Sequence, residues 1–114
     1  MDGERLMKPM DLYIAEMEAV DKSDNKYSRP VLVVAFSAST MTIFKITSQY
    51  KKKPPQVKSK YYPIKEWEKA GLKQQSYVDT IKTYEMDKKI IMKRQPIGRL
   101  TSSDARNLFK FIEQ

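Results

Sequence analysis

The fold of this chain is decided by residues 29–50, RPVLVVAFSASTMTIFKITSQY. Residues 31–36 are a continuous apolar run rich in β-branched side chains, which is the pattern of a strand buried on both faces. A second run rich in β-branched residues spans 40–46, and the short polar segment 37–39 separates the two. The sequence therefore predicts two β-strands joined in a hairpin.

This hairpin carries polar groups suited to phosphate chemistry at one end. Arg29 stands at the entrance to the first strand, and Thr47 and Ser48 stand at the exit of the second. A guanidinium stays charged at neutral pH and presents forked donors, so together with two hydroxyls it can hold one anion. The alternative is that Arg29 is a solvated residue at a strand end and that Thr47 and Ser48 only begin a turn.

Composition limits the class of protein. The chain has 114 residues, of which 40% are hydrophobic and 32% charged, and this indicates one folded domain rather than a disordered or membrane protein. We expect residues 1–7 to be a loose leader and residues 8–114 to be a single domain. The chain has no cysteine and no histidine, so we expect no disulfide, no metal site and no cofactor, and a cytoplasmic location.

The charge narrows the class of partner. Lysine and arginine number 22 against 14 acidic residues, which gives a formal net charge of +8 and an isoelectric point near 9.6. Such an excess on a small domain favours a polyanion or an acidic protein as partner. The charge alone does not distinguish these from a basic protein that has neither partner.

Shorter patterns surround the hairpin. Alternation predicts a strand over 11–15 that extends up to residue 17, followed by a polar loop over 21–28. Residues 51–60, KKKPPQVKSK, contain five lysines and two adjacent prolines, which predicts an exposed, mobile loop rather than a strand. A short strand is expected over 61–64 and a short helix over 64–70, closed by Gly71 in the left-handed conformation.

The last third of the chain contains strand and helix signals. Residues 76–81 and 83–86 predict one strand or a strand pair. Thr101 is an N-cap with Asp104 three residues later, and Leu108, Phe111 and Ile112 then fall on one helical face. The sequence predicts a mainly β protein with some α structure: a small twisted barrel with a short internal helix and a C-terminal helix laid across the sheet.

Several motifs resemble those of the PemK/MazF family of bacterial toxins. RPVLVV at residues 29–34 and ITS at 46–48 are similar to two signatures of the family, and KPMDLYI at 8–14 is similar to its opening strand. Four further motifs resemble a Gram-positive, PemK-like branch of the family: YYPIKEW at 61–67, AGL at 70–72, SYVD at 76–79 and PIGRLT at 96–101. The motifs keep their order over more than 100 residues.

The resemblance implies a fold, an activity and partners. It implies an SH3-like β-barrel of the PemK/MazF type that forms a homodimer. It also implies the toxin of a type II toxin-antitoxin pair: a metal-independent endoribonuclease that cleaves single-stranded RNA by attack of the 2′-OH, and that an acidic antitoxin protein neutralises. Arg29 matches the catalytic arginine of the family, and Thr47 and Ser48 match its hydroxyl pair.

Further residues are predicted to bind the substrate. Asp79 matches an acidic position near the substrate, and Lys51, Lys52 and Lys53 form a basic run that could grip the RNA backbone or merely add positive charge. Tyr77 stands where some members have a basic residue, and it could stack on a base or face the core. Trp67 has the same two alternatives.

Departures from the family pattern leave a second function open. Met10 replaces a glycine that is usual in the opening motif, and Tyr77 leaves the general acid and base unassigned. The alternative function is a non-catalytic barrel that binds nucleic acid or protein, such as a degenerate phage or plasmid regulatory protein.

Overall fold

The computed structural model describes residues 6–18, 26–91 and 95–114. The elements of this part of the chain follow in the order β1 (Asp11–Glu18), β2 (Lys26–Phe36), β3 (Thr40–Thr47), α1 (Pro55–Lys58), β4 (Tyr61–Pro63), β5 (Tyr77–Asp87), a 3₁₀ helix (Lys88–Ile90), β6 (Gly98–Arg99) and α2 (Ser102–Ile112). The strands form one antiparallel sheet in the order β4-β5-β3-β2-β1-β6. The mainly β class, with a half-barrel sheet and a C-terminal helix, is confirmed.

The sheet buries apolar side chains on both faces, and β2 contributes to both. Leu32 belongs to a cluster with Leu12, Ile46 and Val78. Val31 and Val33 point the other way, into a cluster formed by Tyr13, Ala15, Met17, Met41 and Ile43. Because successive side chains of a strand alternate between faces, a strand covered on both sides reads as a continuous apolar run. The prediction of a doubly buried strand is confirmed for residues 31–33, whereas Ala35 and Phe36 at the end of the run are exposed.

Helix α2 covers the first of these clusters. Leu108 is buried against the sheet, and the ring of Phe111 packs edge-on against Tyr62 at 5.6 Å between centroids. The N-cap is confirmed, since the Thr101 hydroxyl accepts a hydrogen bond from the backbone N–H of Asp104. The predicted helical face is only partly right, because the side chain of Ile112 is 44% exposed.

The carboxylate of Asp104 lies buried under the first turn of α2 and joins α2 to the chain around β4. It accepts hydrogen bonds from the Tyr62 hydroxyl at 2.5 Å, the Lys65 N–H at 3.1 Å and the Glu66 N–H at 2.8 Å. Burial, and then this hydrogen bond, raise the pKa of Tyr62 well above its ordinary value. The Thr101 hydroxyl donates to the Glu66 carboxylate at 2.6 Å and thereby lowers the pKa of Glu66.

The helix predicted over 64–70 is wrong, because residues 65–71 form hydrogen-bonded turns. The Ala70 N–H donates to the Glu66 carbonyl and the Gly71 N–H to the Glu68 carbonyl. Gly71 ends the segment with φ = +93°, as predicted, and the Leu72 N–H donates to the Trp67 carbonyl. The donors and acceptors of the segment are thus three, four or five residues apart, instead of the constant four of an α-helix. The short internal helix is instead α1, which the predicted loop over 51–60 missed; proline is favourable in a first helical turn.

Two glycines let the turn segment approach β6 closely. A Cβ atom added to Gly98 would lie 1.8 Å from the Ala70 carbonyl oxygen, and one added to Gly71 would lie 2.3 Å from the Ile97 carbonyl oxygen. Both contacts are with backbone atoms, which cannot rotate away as a side chain can. The segment therefore docks on the sheet edge backbone to backbone.

Strand β2 begins earlier than predicted. Residues 26–28 belong to the strand, although they were expected in the polar loop over 21–28; the rest of that loop, residues 21–25, lies outside the described residues. These polar residues are extended because they pair with the end of β1, as in Glu18–Lys26 and Met17–Tyr27. Arg29 is consequently inside a strand rather than at its entrance. Of the two alternatives for residues 76–86, the single strand is right: it is β5, which has a register shift.

Met10, which stands where the resembled family usually has glycine, adopts φ = +74°. Left-handed backbone favours glycine, because a Cβ atom is strained there. Hydrogen bonds on both sides hold the residue, from its N–H to the Val33 carbonyl and from the Leu100 N–H to its carbonyl. Its side chain is buried in the first cluster, and this burial offsets the strain.

The role of Asp104 in stability can be tested by substitution. Asp104→Ala leaves the Tyr62 hydroxyl and two N–H groups without their acceptor, and each unpaired buried donor costs about 1–3 kcal/mol. We expect the free energy of unfolding, measured with urea, to fall by about 3–5 kcal/mol. Ser103→Ala, an exposed control in the same turn, should change it by less than about 0.5 kcal/mol. A loss below about 1 kcal/mol for Asp104→Ala would contradict this role.

Candidate functional site

The sheet register aligns the predicted phosphate-binding residues. Arg29 pairs with Ala15 of β1, and Thr47 pairs with Tyr77 of β5. The pairing of β2 with β3 stops at Val31–Lys45. Arg29, two residues before Val31, and Thr47, two residues after Lys45, lie just beyond this last pair. Because side chains two residues apart share a face, Arg29 and Thr47 continue the row of Val31 and Lys45 on the same side of the sheet.

A cavity of about 190 Å³ opens where β2 and β3 separate. Pro30 has no N–H to donate to a ladder, and the ladder ends at the residue after it. The structure brings the three predicted catalytic residues together here, since the cavity is lined by Arg29, Pro30, Ile46, Thr47, Ser48, Gln49, Gln74 and Ser76.

Arg29 is half-buried at this cavity and incompletely satisfied. Its Nε atom is buried and has no hydrogen-bond partner among the described residues. The guanidinium carbon lies 4.8 Å from the ring centroid of Tyr27, so the ring faces the positive charge. A buried donor without a partner is unfavourable, and an anion that enters the cavity relieves this cost.

The two hydroxyls of the cavity differ in their surroundings. Thr47 is 9% exposed, and its Oγ1 accepts a hydrogen bond from the Gln49 N–H at 3.0 Å. A hydroxyl that accepts one bond still has its proton to donate, so Thr47 can serve an anionic oxygen. Ser48, the next residue, is exposed at the rim. The ST-type turn at Thr47 thus orients one donor and leaves the second accessible.

A neighbouring cavity of about 640 Å³ extends the site. Lys51, Lys52 and Lys53 line it, as does Tyr77, so four of the predicted substrate-binding residues are close together. Ser48, Gln49 and Gln74 line both cavities. The two cavities therefore adjoin each other, and we call them together the Arg29–Lys53 groove, with a guanidinium at one end and three ammonium groups at the other.

Tyr77 is not a core residue, so the alternative in which it faces the core is wrong. Its ring stacks on Tyr50 at 4.3 Å between centroids and 7° between planes, and Tyr61 lies 6.4 Å from both. The Lys58 ammonium lies 5.0 Å from the centroid of Tyr50. Burial, and then the charge of Asp79, raise the pKa of Tyr61, so this hydroxyl stays protonated at neutral pH.

Asp79 lies outside the lining of both cavities. It sits opposite Lys45 and Tyr61 in the sheet, and its carboxylate accepts a hydrogen bond from the Ile81 N–H at 3.0 Å. Its contact with substrate stays a prediction. Trp67 packs against the first core cluster, which favours its structural alternative. Within residues 6–18, 26–91 and 95–114, no group of three or more carboxylates could hold a metal ion.

Several groove residues could not be identified from the sequence. Gln49, Tyr50, Gln74, Gln75 and Ser76 line the groove, and of these only Ser76 belongs to a motif quoted above, as the first residue of SYVD. Residues 74–76 reach it because Thr47 pairs with Tyr77, which brings the segment before β5 beside the end of β3. Ser76 was therefore the only available signal.

The family model of PemK-like, MazF-like toxins of type II toxin-antitoxin systems matches residues 8–114. The chain belongs to this family. Among solved structures, the Mycobacterium tuberculosis toxin MazF-mt6 has the same fold, with a TM-score of 0.64 and 22% identity over 90% of this chain and 91% of that one. A search of curated proteins found no match.

Family membership supplies the coarse function, that of a toxin component in a type II toxin-antitoxin system, where a toxin is paired with an antitoxin. In the described part of the chain, no helix has the length and apolar character that a bilayer crossing requires.

The unpaired Arg29 Nε leads to a prediction about anions. Without a ligand, Arg29→Met should leave the free energy of unfolding within about 1 kcal/mol of the wild-type value or raise it, because it removes a buried donor that has no acceptor. Inorganic phosphate should raise the melting temperature of the wild type, since a ligand that binds only the folded state stabilises it. It should have no such effect on Arg29→Met. Arg106→Met, an exposed control on α2, should respond like the wild type; an equal response of all three proteins would contradict an anion site at Arg29.

Proposed function

We propose that this toxin is a metal-independent endoribonuclease that cleaves single-stranded RNA at the Arg29 end of the groove. The observation that supports this most is the buried Nε of Arg29, which has no partner among the described residues and belongs to a side chain that lines one cavity together with Thr47 and Ser48. A phosphate oxygen in this cavity would supply the missing acceptor, and the two hydroxyls can donate to the same phosphate. RNA carries its own nucleophile in the 2′-OH, so the protein need only position and stabilise the reacting phosphate.

The chemistry follows from these donors. The 2′-oxygen attacks the adjacent phosphorus, the bond from phosphorus to the 5′-oxygen breaks, and the 2′-OH proton is lost while the leaving oxygen gains a proton. Arg29 presents its forked N–H groups to the non-bridging oxygens, where negative charge grows in the transition state. Thr47 donates its hydroxyl proton to the same phosphate, and Ser48 adds a second donor at the rim. The products are a 2′,3′-cyclic phosphate and a 5′-OH.

The lysine end of the groove binds the flanking backbone. Lys51, Lys52 and Lys53 line the larger cavity, which joins the Arg29 cavity through shared residues. Ammonium groups along a strand of phosphates release counterions on binding, so affinity falls as the salt concentration rises. The same positive groove, in a chain of net charge +8, suits an acidic segment of the antitoxin. Such an antitoxin would block the RNA groove in a cytoplasmic pair.

Cleavage can be tested directly with a long single-stranded RNA. We expect cutting that persists in EDTA and leaves a 2′,3′-cyclic phosphate or 3′-phosphate on one fragment and a 5′-OH on the other, as mass spectrometry of the fragments can determine. DNA should resist because it lacks the 2′-OH, and duplex RNA should resist because pairing holds the bases in the helix. A requirement for added magnesium, or equal cutting of DNA, would contradict this mechanism.

Variants assign the roles within that reaction. Arg29→Lys should lose most of the activity, because an ammonium cannot reproduce the fork. Thr47→Val, which is nearly isosteric, should slow cleavage by roughly 10- to 1000-fold, the range for one positioned donor. Lys73→Gln, an exposed control outside both cavity linings, should cut like the wild type. Salt-sensitive RNA binding without cutting under any condition would instead favour the non-catalytic binding barrel.

We also propose that the toxin is a symmetric homodimer. Large apolar side chains stay exposed on the single chain, among them Phe109 at 57% and Ile112 at 44% on α2. A domain of this size buries limited surface by itself, and pairing of identical subunits covers more of it. Light scattering at tens of micromolar should give about twice the mass of one chain. A monomer at that concentration would contradict the proposal.

A further inference from the structure

The stacked tyrosines form an aromatic wall in the lysine-rich part of the groove. Tyr50 and Tyr77 are nearly parallel, and both line the larger cavity. They come from different segments, since Tyr50 follows β3 and Tyr77 opens β5. Neither belongs to the buried core clusters of the described chain. The pair therefore places aromatic surface at the lining of a cavity, outside the buried core clusters.

Gln75, whose side chain is held by two hydrogen bonds, also lines the larger cavity. The side-chain nitrogen of Gln75 donates to two carbonyl oxygens, those of Ile64 and Ser76, both at 3.0 Å. An amide nitrogen has two protons, so both are committed, and the amide oxygen is the atom left for a ligand. Gln75 therefore offers an acceptor beside the aromatic wall.

We propose that the Tyr50–Tyr77 stack and Gln75 form a subsite for one nucleobase of the RNA strand. This inference rests on the proposed function, because the strand is the one whose phosphate Arg29 binds. The cavity, at about 640 Å³, lies within the range of about 300–1,000 Å³ that is common for small-ligand pockets. A base stacks on aromatic rings whatever its identity, and its edge hydrogen-bonds to a fixed polar group.

The charges around the stack favour a nucleotide over an uncharged ligand. Lys51, Lys52 and Lys53 line the cavity and can meet the phosphates that flank the base. The Lys58 ammonium lies over the Tyr50 ring, and its flexible stem allows it to turn from the ring to a phosphate when a base arrives. The shared residues Ser48, Gln49 and Gln74 place this base next to the phosphate at Arg29.

The subsite can be tested with an oligonucleotide that the toxin cannot cut. The probe is a fluorescein-labelled 2′-O-methyl RNA of mixed sequence, together with a series in which one abasic unit replaces each nucleotide in turn. Methylation removes the attacking hydroxyl, so binding is measured apart from cleavage. Fluorescence anisotropy should find one position where the abasic unit weakens binding by about 5- to 150-fold, the range for one stacked base.

Matched variants tie that position to the tyrosines. Tyr50→Leu keeps apolar bulk but removes the ring, and it should bind the intact probe as weakly as the wild type binds the abasic one. It should also be insensitive to the abasic unit there. Tyr50→Phe keeps the ring and should behave like the wild type. Tyr84→Leu is the control, because Lys45 and Lys82 lie over the Tyr84 ring at 5.0 and 4.7 Å, outside the groove; it should keep the position-specific loss.

The outcomes separate this inference from the proposed function. Equal sensitivity of wild type and Tyr50→Leu at every abasic position would overturn the subsite, even if unmodified RNA is cut. A position-specific loss that disappears in Tyr50→Leu would support it, even if unmodified RNA is never cut and the catalytic proposal fails. No binding of the probe by the wild type would overturn the subsite as well.

Discussion

The buried carboxylate of Asp104 is the interaction on which the arrangement of the molecule depends. It binds the Tyr62 hydroxyl of β4 and two N–H groups of the turn segment, while the backbone of the same residue is capped by Thr101 at the start of α2. Helix, turn segment and sheet edge are thereby joined in one network. Because β4 pairs with β5, and β5 begins at Tyr77, this network also supports the wall of the groove from behind.

Local patterns were sufficient to predict much of the fold. The apolar run in β2 predicted a strand buried on both faces, since Leu32 and its neighbours Val31 and Val33 serve opposite clusters. Thr101 predicted the start of α2 because capping depends only on residues three positions apart. Arg29, Thr47 and Ser48 could be placed together because a hairpin brings the first half of one strand beside the end of the next.

Long-range contacts explain what could not be predicted. The strand order sets β5 beside β3, and no local pattern predicts that Gln74 and Ser76 border the Arg29 cavity. The turn segment has the local appearance of a helix, yet its backbone hydrogen bonds span three, four and five residues, and its start is anchored to Asp104, about 40 residues later. Residues 26–28 look like a loop, and pairing with β1 extends them. Tyr50 gives no signal by itself, since its partner Tyr77 is distant in sequence.

The backbone contact between Gly71 and Gly98 bears on how sequences with this architecture can diverge. The turn segment meets β6 through main-chain atoms on both sides, so the shape of this join is independent of the side chains around it. Lys69 and Lys73 beside it are exposed and free to vary without altering the docking distance. Tolerance to substitution should therefore be almost complete at the exposed Lys69 and Lys73. It should be almost absent at Gly71 and Gly98, although these two residues contribute no side chain.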